Sequence, residues 1–392
     1  MAGDAGSVGK GRAAWGLLLA ALLAFILTGL LWASRPAEAS PLVIVDGDRL
    51  ELVEDPLLPP SGGVPTESTT GRRGIPELLG DLLPFLDPGP PPAQPPPDPS
   101  PDPDPAPDPR PDEPRRGKQQ LGKGSVGTVL DRARRRGAIS VSERRAMGRT
   151  ITRARKTRSR LRGRRQRELS RVIVAVERLA ARGRLTTGRL EVAFLQVRRN
   201  TEYWANHASA RNGQRIAFRG SPVIFQYFPG QGLQFHPLAN FGKANALYNQ
   251  CISKDGPCRR NRLRTYLDEL AALGSTRGGG FLTWGYFFRF GGGSPPWTSG
   301  MSQGTALQAF SRSAQLLDEP RYARYARATL GAFSRWPGNG VRVNSSGGRH
   351  YLLYSFAPGL RVLNGHLQAI IGLHDHWQVS GSTRARELYQ AG

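Results

Sequence analysis

Apolar residues recur three and four apart at Leu169, Val172, Ile173, Val176, Leu179 and Ala180, and again at Leu190, Phe194, Val197, Thr201 and Trp204. Arg182-Gly183 stands between the two runs as a helix stop, so the spacing predicts an antiparallel helix pair. The period then changes. Residues 215–229, RIAFRGSPVIFQYFP, are β-branched and aromatic around a Gly220-Ser221-Pro222 turn and predict strands. A second patch, GGGFLTWGYFFRFGGG over 278–293, alternates in part between glycines, and Leu263, Tyr266, Leu267 and Leu270 mark a short helix over 259–273 between the two patches. Three further helical stripes follow: Ala306, Leu307, Phe310, Ala314 and Leu317; Tyr322, Tyr325, Ala326, Leu330 and Phe333; and Leu363, Leu367, Ile370, His374 and Trp377. Amphipathic helices with short polar connections predict a mainly α chain with a β portion, its helices paired around a centre as in an α/α toroid or barrel.

The amino-terminal third follows none of these periods. Residues 13–34 are uncharged and apolar until their end, long enough to cross a bilayer, and follow Lys10 and Arg12. They read as a transmembrane anchor, with residues 1–12 a cytoplasmic stub and the rest extracytoplasmic; the Ala37-Glu38-Ala39-Ser40 stretch keeps open a cleaved signal and a secreted product. Residues 35–130 carry a proline-aspartate repeat, PDPSPDPDPAPDPRPDEP at its centre, and are expected to be a disordered linker.

Composition sharpens the picture in two places. The net charge of +25 is concentrated between Asp131 and Arg171, where 17 Lys and Arg face three acids, so 131–205 reads as a basic helical region. A solvated basic face and a binding face for an anionic partner both fit; no zinc-finger, RRM or helix-turn-helix signature points to nucleic acid. The two cysteines, Cys251 and Cys258, lie in CISKDGPC. A disulfide suits an extracytoplasmic address, two separate buried thiols remain the alternative, and no metal is expected because further ligands at motif spacing are missing. His374 and His376 are no better as a ligand pair, since positions i and i+2 of a helix point about 200° apart. Gly122-Lys123-Gly124-Ser125-Val126-Gly127-Thr128-Val129 fits the glycine-loop pattern of kinases, but HRD and DFG motifs are absent downstream and the segment reads as a connector.

One helix start is odd. Residues 297–304, WTSGMSQG, offer an aromatic ring, hydroxyls, an amide and two glycines, which are poor helix formers and good material for a sugar-binding cleft whose glycines let chain approach ligand. This segment, followed by Gly340-Val341, Tyr351 and Tyr354, Pro358, Val362-Leu363-Asn364-Gly365 and an Ile-Gly-Leu-His-Asp helix, resembles in order the carboxy-terminal domain of D-glucuronyl C5-epimerases. The upstream YFPGQGLQFHP (227–237) and Phe241-Gly-Lys-Ala-Asn245 are similar to the family's preceding segment, so residues 206–392 are expected to form an epimerase-like domain.

The resemblance implies inversion at C5 of glucuronic acid residues in a heparosan-like acidic polysaccharide, by removing the proton α to the carboxylate and returning one on the opposite face. No cofactor is implied. Tyr354 falls on a tyrosine implicated in the family's catalysis and Tyr351 on its neighbour, while Arg349 and Arg361 would supply charge beside them. Trp297, Gln303 and Asn364 would line the cleft. Each has a plainer reading: packing for the tyrosines and Trp297, solvated surface for the arginines. Two departures matter. Leu352-Leu353 stands where animal members carry Glu-Glu, and the family continues past the VLNG helix with further active-site tyrosines and an arginine, which implies an incomplete toroid and a truncated chain. These departures keep a second function open, a non-catalytic module that binds or organises anionic polysaccharide; a lyase sharing the C5 proton abstraction is a third.

Overall fold

The computed structural model describes residues 40–55, 57–58, 120–253, 257–277 and 280–392. It is mainly helical with a β portion. The expected anchor at 13–34 and the proline-aspartate repeat lie outside the described residues; among those described, no helix is long and apolar enough to cross a membrane.

Strands β1 (Ser40–Asp46) and β2 (Arg49–Asp55) form an antiparallel hairpin. Four helices follow: α1 (Val126–Arg135), α2 (Val141–Arg160), α3 (Gly163–Ala181) and α4 (Leu190–Asn206). Strands β3 (Arg215–Phe218), β4 (Ser221–Phe228) and β5 (Gly232–Phe235) then complete a five-stranded sheet in the order β2-β1-β3-β4-β5. All its pairs are antiparallel except β1 with β3. The expectation of a disordered linker is therefore corrected at Ser40–Asp55. Leu42 to Val45 form a continuous apolar run, with Leu42, Val43 and Val45 buried, and a neighbour from distant sequence supplies the missing edge.

The hairpin is also held by charge. Asp55 meets Lys243 at 2.6 Å, both side chains nearly out of water, and the other Asp55 oxygen accepts from Leu57 N–H at 3.0 Å. A buried carboxylate of this kind is tolerated only because cation and amide share it.

The basic region is less free than its composition implies. Met147, Ile151 and Ala154 bury one face of α2, and Leu169, Val172, Ile173 and Val176 one face of α3, inside a core that continues to Leu388. Arg164 donates to the Tyr227 hydroxyl, Arg165 to the Trp204 carbonyl, and Arg132 to the carbonyls of Leu121 and Lys123. The kinase-like glycines open α1, which Ser125 caps by accepting from Thr128 N–H.

The free edge of β5 is closed by α4. The Asn200 amide accepts from Leu233 N–H and donates to its carbonyl, and Gln196 accepts from Phe235 N–H. Two side chains so satisfy the ladder groups that another strand would otherwise take.

Helices α5 (Pro237–Ser253) and α6 (Arg260–Ala272) pack beside β4, and the Cys251–Cys258 disulfide ties the end of α5 to the approach to α6. The glycine-bracketed patch yields only two-residue strands: β6 (Ser275–Thr276) with β7 (Leu282–Thr283), and β8 (Gly285–Tyr286) with β9 (Trp297–Thr298). Helix α7 (Gly300–Leu317) is buried on nearly every side, between α5, α8 (Pro320–Thr329) and the later helix that begins at Leu363. After a short α9 (Gly331–Ser334), the hairpin β10 (Arg342–Ser345) and β11 (Gly348–Tyr351) leads to α10 (Leu363–Ser380) and α11 (Thr383–Gln390).

Candidate functional site

The odd helix start is explained by packing. Ser299 caps α7 by accepting from Ser302 N–H at 3.3 Å, and the fully buried Gln303 both accepts from Trp284 N–H and donates to the Trp284 carbonyl. A Cβ on Gly300 would sit 2.8 Å from the Leu352 carbonyl oxygen; one on Gly304 would sit 2.5 Å from that of Gln368, and one on Gly372 2.2 Å from that of Gly304. Helices α7 and α10 thus cross backbone against backbone at this glycine pair. The expectation that the glycines admit a ligand is corrected: they admit another helix and the Leu352 strand end.

Trp297 packs in an aromatic cluster separate from the main core, with Tyr286, Phe288, Met301, Leu353 and Tyr354. Its ring stacks on Tyr286 at 4.1 Å and its indole N–H donates to the Phe288 carbonyl. Tyr354 reaches the same cluster, 5.8 Å from Trp297 and 5.4 Å from Phe290 between ring centres. Its hydroxyl is buried and has no hydrogen-bond partner, and burial pushes its pKa up to about 12. An unpaired phenol in an apolar wall costs folding free energy, and a bound group that pairs with it recovers that cost.

Three groups that sequence reasoning passed over stand nearby. The Tyr286 hydroxyl shares a 2.7 Å hydrogen bond with Ser302, burial raises its pKa, and the Tyr354 phenol acts on it in the same direction. The His236 ring lies 5.5 Å from that of Tyr286; Nδ1 accepts from Ala239 N–H at the start of α5, while Nε2 is buried without a partner. Burial, helped by Arg215, lowers the His236 pKa to about 3, so the ring is neutral with its proton on Nε2. Tyr286 occupies a stretch that reads as apolar strand, and His236 lies unmarked in the family-like 227–237 segment, so periodicity gave no sign of either. Arg277 is the third: its guanidinium donates to the hydroxyls of Thr283 and Thr298, and burial lowers its pKa to about 10.

The remaining predicted residues scatter. Tyr351 belongs to the main core, packs on Phe333 and His366, and donates its hydroxyl to the Leu388 carbonyl, so the structure separates it from Tyr354. Burial pushes its pKa up to about 12, opposed by Arg349. Arg349 therefore serves Tyr351, and the exposed Arg361 donates to the Pro358 carbonyl and acts on His350. Neither reaches the Tyr354 phenol, which corrects the expectation of cations beside it. Asn364 is buried in the first turn of α10, accepting from Gly365 N–H. Leu353 fills the aromatic cluster next to Tyr354, and the Leu352 carbonyl accepts from Gly300 N–H at 2.7 Å. Among the described residues, no group of three or more His, Cys, Asp or Glu gathers to hold a metal.

Beside Phe288, between α3 and the 287–295 segment, lies a cavity of about 340 Å³. Arg171, Arg178, Arg182 and Arg289 line it, with Phe288 and Gln231.

Two comparisons bear on these features. The family model described as D-glucuronyl C5-epimerase C-terminus matches residues 278–392. The chain is also similar to the D-glucuronyl C5-epimerase of Caenorhabditis elegans, 32% identical over 111 residues, which make up 25% of this chain and 18% of that relative. The match thus spans under a fifth of the relative's length.

Proposed function

We propose that this chain, whose residues 278–392 belong to the D-glucuronyl C5-epimerase carboxy-terminal family, moves the proton at C5 of glucuronic acid residues in an acidic, heparosan-like polysaccharide. In this reading α5, α7, α8 and α10 are part of an α/α toroid, residues 13–34 hold the protein in a membrane, and the working part faces an extracytoplasmic glycan. The Cys251–Cys258 disulfide supports such an oxidising address.

The observation that carries the proposal is the Tyr354 hydroxyl, buried and unpaired on the family-like tyrosine motif. With its pKa near 12 the phenol is protonated at neutral pH, so its role is the acid that returns a proton to C5. Trp297 and Phe290 give it an apolar, water-poor setting, and the neutral His236 and Tyr286 add hydrogen-bond donors within the same cluster.

A second reading has its own support. Leu353 offers no base next to Tyr354, and the Tyr351 hydroxyl is committed to the Leu388 carbonyl. Both favour a module that binds the glycan without turning it over.

Proton exchange separates the two. The full chain is incubated with heparosan in deuterated water and C5 is followed by NMR; deuterium enters with the wild type and is lost in Tyr354→Phe if the first reading holds. Retention on heparosan without exchange in either protein supports the binding module, and an unsaturated product absorbing in the ultraviolet would replace both with a lyase.

A further inference from the structure

The cavity beside Phe288 is cationic for reasons the fold supplies. Arg171, Arg178 and Arg182 are seven and four residues apart, close to whole turns of helix, so they form one row along α3 and its carboxyl-terminal cap. Arg289 faces them from the 287–295 segment. All four are exposed, none makes an ion pair among the described residues, and no carboxylate lines the cavity. The acids of α3 are committed elsewhere: Glu168, buried, accepts from Tyr227 and from the N–H groups of Gly230 and Gly232, and Glu177 pairs with Arg155. Arg189, buried, and Arg277, half-buried, lie close enough for Arg277 and Arg184 to act on the Arg189 guanidinium. The Arg184 guanidinium donates to the Pro295 carbonyl and fixes one wall to the other.

Converging guanidiniums with nothing to neutralise them repel one another, and a low-dielectric wall focuses their field outward. Phe287 and Phe288 give the cavity an apolar floor. A row of cations that shares a cavity with aromatic side chains suits a chain with regularly spaced anionic groups and apolar sugar faces. The separation of Arg171 from Arg178, about 10 Å along the helix, is close to the length of one disaccharide.

We infer that this groove is a subsite for an acidic polysaccharide, in which Arg171, Arg178, Arg182 and Arg289 hold successive carboxylates while the chain runs past Phe288 toward the Tyr354 cluster. The inference rests on the acidic-polysaccharide reading above, and it assigns binding to a helix outside the matched residues 278–392. Phe288 is the physical link, since its ring lies 5.7 Å from that of Trp297.

The test compares the full-length wild type with Arg171→Gln/Arg178→Gln/Arg182→Gln and with a control of equal charge loss, Arg145→Gln/Arg149→Gln/Arg153→Gln, whose side chains are exposed on α2. Binding to heparosan is measured by titration across a salt series, with melting temperature recorded for each protein. The expected result is a loss in affinity on the order of tenfold at physiological salt for the α3 variant only, with a shallower salt dependence. Equal losses in both variants would mean bulk charge and would overturn the site, as would no loss in the α3 variant or tighter binding of duplex DNA than of heparosan by the wild type. C5 exchange on a short heparosan oligosaccharide is read separately. Exchange that survives in the α3 variant with unchanged affinity removes the groove and leaves the catalytic reading standing; groove-dependent binding without exchange does the reverse.

Discussion

Single residues in this protein are fixed by what their neighbours leave open. Gly304 has no room for a methyl group because the α10 backbone occupies the place. Gly304→Ala is expected to lose about 1–3 kcal/mol of stability, measured by urea unfolding, since both helices would have to move apart. His236 gives a pH signature. Its folded pKa of about 3 lies below the usual 6.5, so the unfolded chain binds more protons between those values. The stability this residue contributes is complete above about pH 6.5 and falls as pH drops toward 3. His350 and His376, both lowered to about 4 chiefly by burial, add in the same direction. The melting temperature should fall steadily from pH 7 to pH 4.5, and His236→Phe should flatten that fall; an unchanged slope would remove His236 from the account.

At the level of elements, the hairpin β1-β2 and helix α5 depend on one another through Asp55 and Lys243. Lys243→Met leaves the Asp55 carboxylate buried without its cation and is expected to cost about 3–5 kcal/mol. The double variant Lys243→Met/Asp55→Asn should recover part of that loss, because the charge left behind is then gone. Equal melting temperatures for the two variants would show that the pair acts only through packing. Element positions were legible where period was strong: the helix pair around Arg182-Gly183, the strands from Arg215, and the helices beginning near 300, 320 and 363 all fall where apolar spacing puts them. The β1-β2 hairpin was not legible, because its neighbour β3 lies more than 150 residues away and the proline-aspartate repeat beside it dominates the composition.

For the molecule as a whole, the sheet makes the amino-terminal hairpin part of the same body as the helices. Removing residues 40–58 would expose the β3 edge and leave Lys243 buried without a partner. A chain beginning at residue 115 is therefore expected to be less soluble and to melt lower than one beginning at residue 35, with size-exclusion chromatography and thermal unfolding as the measures. Comparable behaviour of the two chains would mean that the hairpin is an appendage.

The helical stripes, the local period changes, the concentration of basic charge and the ordered motifs by which residues 278–392 resemble the C5-epimerase carboxy-terminal family model are legible in the sequence alone. These are properties of neighbours along the chain, and short-range physics decides them. Tertiary structure alone decided which tyrosine is free. Tyr351 and Tyr354 are three residues apart and chemically identical, yet one phenol is spent on the Leu388 carbonyl and the other ends unpaired among aromatic rings. The same holds for the arginines: Arg164 and Arg171 lie on one helix and both are exposed, and only packing ties the first to the Tyr227 hydroxyl and leaves the second facing a cavity. Hydrogen-bond partners and burial come from elements far apart in sequence, so no local pattern encodes them.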